Sequence, residues 1–209
     1  ASALLIDYVL TAAVSLTAGV EAIASAFPAL WPYRTQITLA ILLLMVLANL
    51  RGIRETGTIM SIPVYLFLFT YLPMLGYGLI RLLIQGPTPL ENVAPPATQP
   101  VVLFLIMHTF SAGCTALTGI EAISNGVPAF QPPEAKNAGR TLIIMAILMG
   151  ILFSGSIGLT QFLGIVAGPQ ETILSALSRN LLGDGPAYII IQIATMLILA
   201  VAANTSFAG

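Results

Sequence analysis

Two carboxylates, Asp7 and Glu121, stand inside apolar stretches long enough to cross a membrane, and hydroxyl side chains lie close to each in sequence. A carboxylate at membrane depth costs several kcal/mol unless it meets a cation, a proton or buried donors, so it marks a functional site by default. The chemistry open to such a pair is the handling of positive charge. A monovalent cation needs oxygen ligands that replace its water, with enough negative charge to offset desolvation but not to trap the ion. Removal from water also favours the protonated form of a carboxylate, which would let one of the two carry a proton.

The spacing around Asp7 supports this. Asp7, Thr11 and Ser15 follow one another at i, i+4; on a helix each step drifts by about 40°, giving a polar stripe under about 90° wide. Lipid would expel that stripe, so it is expected to face a bundle interior or a wet cavity. Glu21 falls near the same face but close to the helix end, within reach of the interface. Around Glu121 the pattern differs. From Val101 to Pro128 the segment would run ~42 Å as a continuous helix, longer than the ~30 Å hydrocarbon core. Its middle, from Ser111 to Glu121, holds Gly113, Gly119 and several small polar residues. Unwound backbone is tolerated in a membrane where it lines a cavity, and a break here would place Thr118 and Glu121 at the start of the second half-helix. The alternative is a continuous tilted helix whose small residues allow close packing. The cost of burying Glu121 in such a helix favours the break.

These side chains need helices to hold them, and the composition supplies them. With 57% hydrophobic and 7% charged residues in 209, the chain is far from a soluble domain. It reads as an all-α polytopic membrane protein, one transmembrane domain over residues 1–209. Six apolar segments reach or approach the ~20 residues a span requires, at about residues 3–27, 35–50, 57–84, 101–128, 140–166 and 186–207. The second is short and its start extends toward Tyr33. Between the fifth and sixth, Ile173, Leu174, Leu177 and Leu181 share one helical face, which predicts a short amphipathic helix at the surface. The Pro-rich stretch from Gln85 to Pro100 reads as a loop. Both ends fall within apolar runs, as expected for a piece of a larger protein. Arg51 and Arg54 share one side with Lys136 and Arg140, against Arg34, Arg81 and Arg179 on the other. The positive-inside rule puts the 51–56 and 129–140 loops in the cytoplasm.

Other classes find little support. A net charge of −1 argues against nucleic-acid binding. A single cysteine, Cys114, excludes an internal disulfide or a thiolate metal cluster. His108, the only histidine, has no second ligand at metal spacing and no local serine or carboxylate partner, so packing is its expected role. No GxSxG, HExxH or P-loop is present, so no enzyme is read and no cofactor expected. Gly164 and Gly168 match GxxxG and read as helix packing. Asn204-Thr205-Ser206 fits a glycosylation sequon but follows directly on an apolar run.

With a polar stripe on one helix and a GxE break three spans later, the chain resembles the amino acid–polyamine–organocation (APC) superfamily. Asn49-Leu50-Arg51-Gly52, Gly119-Ile120-Glu121-Ala122 and Pro133-Glu134-Ala135-Lys136-Asn137-Ala138 carry the likeness. The six spans then look like helices 3 to 8 of a LeuT-like fold of 5+5 inverted repeats, the sixth being broken. Within the superfamily the chain is similar to the KimA-type potassium importers, through Leu5 to Thr11, Thr118 to Pro128 and Ala203 to Ala208. The resemblance implies a proton-coupled potassium importer of the cell membrane, working by alternating access and forming a homodimer. It implies that Asp7, Thr11, Ser15, Thr118 and Glu121 bind the ions, with Tyr8, Thr205 and Ser206 supporting them and no metal beyond the transported cation. The fold's first two helices and its last ones, with further expected site residues, are missing from the chain. An amino acid permease is the alternative, because the GxE turn is shared. Asp7 speaks against it, since a zwitterion has little use for an extra buried anion, as does the absence of lysine from residues 57–84.

Overall fold

The chain's structure, a computed structural model, describes residues 2–51, 57–87, 102–114, 123 and 126–207. The described elements are helical throughout: α1 (Ser2–Ala26), a 3-10 helix (Pro28–Tyr33), α2 (Arg34–Leu50), α3 (Gly57–Gln85), α4 (Leu103–Cys114), a 3-10 turn (Val127–Ala129), α5 (Glu134–Phe162), α6 (Ile173–Leu182) and α7 (Pro186–Thr205). Five of these stretches are long and apolar enough to span a bilayer: Leu5–Ala26, Pro28–Leu50, Met60–Gln85, Glu134–Phe162 and Pro186–Thr205. Lipid offers no partner to a backbone amide, so helices that satisfy their own ladders are what such sequences must form. The protein is thus an all-α polytopic membrane protein.

Local sequence sets the helix ends. Pro28 and Pro186 open their helices, where a missing N–H goes unused. Glu134 places a negative charge in the first turn of α5. The Thr172 hydroxyl caps α6 by accepting from the Ser175 N–H at 3.2 Å, and Gly183 follows with φ +71°. The short second span is completed by the 3-10 helix, which runs straight into α2. The fifth begins earlier than expected, directly after Pro133, and ends at Phe162, before a turn in which Gly164 has φ +61°. The Gly164–Gly168 pair therefore lies in a turn and loop, not on a packing helix, and the GxxxG reading is corrected.

Two compact units make up the chain, residues 1–93 with 156–209 and residues 94–155. In the first, α1 packs chiefly on α7, α3 also packs on α7, and α6 contacts α1, α3 and α7. Leu16, Tyr71, Leu159 and Leu177 form its fully buried centre. A β-carbon added at Gly19 would lie 3.4 Å from Leu199 Cβ and 3.5 Å from Met196 O, so α1 and α7 are nearly backbone to backbone there. Gly78 of α3 is tighter still: a β-carbon would come within 2.6 Å of Leu159 Cδ1 and 3.0 Å of Leu181 Cδ1. Across this unit Tyr71 and Ser156 share a buried hydrogen bond of 2.8 Å. The second unit contains α4 and most of α5, where Ala138 is buried.

Helix α6 is amphipathic, with one face buried and Ile173 and Asn180 exposed. Ser175, Ala176, Leu177, Ser178 and Leu181 are all buried, while Ile173 remains 43% exposed. The predicted apolar face holds at Leu177 and Leu181; the serines complete it because each finds a partner. Ser175 Oγ lies 2.7 Å from the Tyr188 hydroxyl, and Gln192 Nε2 donates to Ser178 Oγ at 3.0 Å.

Candidate functional site

The α1 stripe is placed in full by the structure. Thr11 is buried, with 7% of its surface exposed; Tyr8 and Ser15 are half-buried, and Asp7 is exposed. The reason is the register of α1 on α7. Eight residues back along α1 from Gly19, ~12 Å at 1.5 Å per residue, lies Thr11. The same distance forward from Met196–Leu199 reaches Asn204 to Phe207, because the two helices run antiparallel. Thr11 therefore stands level with Thr205 and Ser206. Asp7, expected to face the bundle interior, is instead exposed, as are Leu5, Ile6, Val9 and Leu10 around it, because no described helix packs on that turn of α1.

The α7 end offers oxygens at that level. Thr205 Oγ1 donates to Ala202 O at 2.7 Å, which leaves its lone pairs open. Ser206 Oγ is buried and has no hydrogen-bond partner among the described residues. Buried polar atoms are nearly always paired, so an orphaned hydroxyl calls for a ligand or a water.

Thr118, Glu121 and the break expected around them lie outside the described residues, as do the His108 side chain, Arg54 and the 88–100 loop. Two polar features escaped the sequence reading. Asn49 Nδ2 donates to Asn204 Oδ1 at 2.8 Å, joining the ends of α2 and α7. Both asparagines interrupt apolar runs, which was the available signal, but their separation in sequence gives no hint of pairing. The second feature is Arg179. Its Nη2 donates to Ser25 O and to the Tyr188 hydroxyl, each at 2.9 Å, while Nη1 lies 3.1 Å from Glu171 Oε1. Nε lies 2.8 Å from Asp184 Oδ1, an ion pair without hydrogen-bond alignment. Burial works against this guanidinium, but the Tyr188 oxygen and the carboxylates of Glu171 and Asp184 outweigh it and hold its pKa above the ordinary arginine value. Arg81 of α3 adds a tie to α6, donating to Asn180 O at 2.8 Å. Arg34, at the same end of the unit, lies 3.8 Å from Glu21 and over the Trp31 ring.

A bundle of apolar helices long enough to cross a bilayer defines a multi-pass membrane protein. The chain belongs to the amino acid permease family of the APC superfamily, which matches residues 1–209. It is 44% identical to the potassium transporter KimA of Bacillus subtilis (strain 168) over 209 residues, 99% of this chain and 34% of the relative. It is 27% identical to the low affinity potassium transport system protein Kup of Yersinia pestis (strain Pestoides F) over 154 residues, 72% of this chain and 24% of that protein. The chain thus spans about a third or less of the length of the relatives it matches. Family and apolar helices together make it a multi-pass protein of the cell membrane.

Proposed function

We propose that the chain is part of a secondary transporter that imports potassium with protons by alternating access. The observation that carries this reading is the 44% identity to a potassium transporter across nearly the whole chain. Asp7, Thr11, Ser15, Thr118 and Glu121 are the proposed ligands, and Tyr8, Thr205 and Ser206 support them. The common level of Thr11, Thr205 and Ser206 agrees with this assignment for the α1 and α7 members. Asp7 and Glu121 exchange potassium for a proton in turn, while rocking of helix groups opens the site to either side. The protein needs no cofactor and catalyses no covalent step; its cargo is potassium and the proton, its surroundings lipid, and its assembly a homodimer. A second reading, proton-coupled amino acid transport, draws on the family's own description.

The test is rubidium-tracer uptake by the full-length protein in vesicles carrying a pH gradient, competed with potassium and with mixed amino acids. Competition by potassium alone is expected. Asp7→Ala and Glu121→Ala are expected to fold and to lose at least tenfold in uptake, about 1.4 kcal/mol or more. Competition by amino acids without competition by potassium reverses the order of the two readings.

A further inference from the structure

We propose that Asn49 is a positioning residue for the oxygen site at the end of α7: its amide holds Asn204 and thereby fixes the turn that carries Thr205 and Ser206. The proposal rests on the reading of Thr205 and Ser206 as supporting residues of the site for the transported species. The last turn of any helix has carbonyls without intrahelical partners and frays unless something holds it. Here the chain leaves α7 within three residues. The Ser206 N–H bonds Ala203 O at 3.2 Å, and the Phe207 N–H bonds Asn204 O at 3.0 Å. Asn204 is therefore the pivot, its backbone carbonyl closing the turn. Its side chain is tied to another helix, since Asn49 Nδ2 donates to Asn204 Oδ1 at 2.8 Å and to Met45 O of its own helix at 2.9 Å. Asn49 is thus anchored before it reaches across, and its orientation is set by α2. Next to this pivot stands the Ser206 hydroxyl, buried and without a partner among the described residues, and Ala203 on the other side is fully buried against its neighbours. The direction in which the two hydroxyls point depends on the turn, and the amide pair is one of the contacts that hold it.

An amide pair that merely glued α2 to α7 would affect folding. A pair that aims ligands affects affinity. The experiment separates these in proteoliposomes of the full-length protein, using rubidium uptake under a pH gradient for Asn49→Ala, Asn204→Ala, the double variant and Asn49→Ser. The serine bonds its own helix carbonyl but is too short to reach Asn204. Each single variant is expected to raise KM about three- to tenfold, the range that loss of one interhelical side-chain bond allows, with maximal rate held within about twofold. The double variant should be no worse than the weaker single, because both remove the same bond. Unchanged KM, a fall in maximal rate alone, additive effects, or a lowered melting temperature without a change in KM overturns the proposal. If the wild type takes up amino acids and no rubidium, the potassium reading fails separately. The same variants are then compared for that amino acid, where an unchanged KM again overturns the role of Asn49.

Discussion

Removing the Arg179 guanidinium would take a donor from the Ser25 carbonyl and the Tyr188 hydroxyl and the counter-charge from the Glu171 carboxylate, whose side chain is only 17% exposed, leaving the latter two only their bonds to Ser175. Water reaches Arg179 itself, so the loss is less than for a deeply buried pair. Arg179→Ala is expected to lower stability by about 1–3 kcal/mol, read as a lower melting temperature in detergent. Lysine carries the charge but not the planar fork, so Arg179→Lys should recover only part of it. Uptake kinetics at permissive temperature are expected to stay near those of the wild type, because this cluster lies at the opposite end of α1 from Asp7. Among single residues, the burial of Thr11 was legible because a hydroxyl in an apolar run must turn away from lipid, whereas Asp7, expected inside, is exposed. Asn49, Asn204 and Arg179 were not legible, because what matters in each is a partner distant in the chain.

At the scale of elements, close approach is written in glycine. Gly78 lies against Leu159, whose side chain is 1% exposed and has little room to yield. Gly78→Val is therefore expected to cost about 1–3 kcal/mol through overpacking. Gly76, two residues earlier on the same helix, has open space where a β-carbon would go. Gly76→Ala should be neutral or stabilise by up to about 1 kcal/mol, and thermal melting of the pair of variants checks the contrast. Helix existence followed from apolar length, and most boundaries fell within a few residues. The buried face of α6 did not follow in the same way. Hydropathy counts Ser175 and Ser178 as polar, yet both are fully buried because Tyr188 and Gln192 supply hydrogen bonds. An apolar pattern cannot register a polar atom that is satisfied by a different helix.

For the whole molecule, the family and the helix directions fix a topology that can be measured. In the first compact unit α1 and α7 run antiparallel, with Arg51 at the Asn49–Asn204 end and the α6 cluster at the other. The positive-inside rule assigns the Arg51 end to the cytoplasm. With Cys114 replaced, a cysteine at Arg51 is expected to react with an impermeant thiol reagent only from the cytoplasmic side. One at Gln170, exposed in the loop before α6, should react only from outside. Labelling in the reverse pattern would invert the assigned orientation.

The partnership of α1 with α7 also bears on how the chain is made. Arg179 reaches back 154 residues to the Ser25 carbonyl, so a ribosome delivers α1 to the lipid well before its mate exists. During that wait its hydroxyls need acceptors, and two find them within the helix: Thr17 donates to Ala13 O and Ser25 to Glu21 O. An insertion intermediate is therefore expected in which lipid meets the Gly19 face of α1 until α7 arrives to pack there.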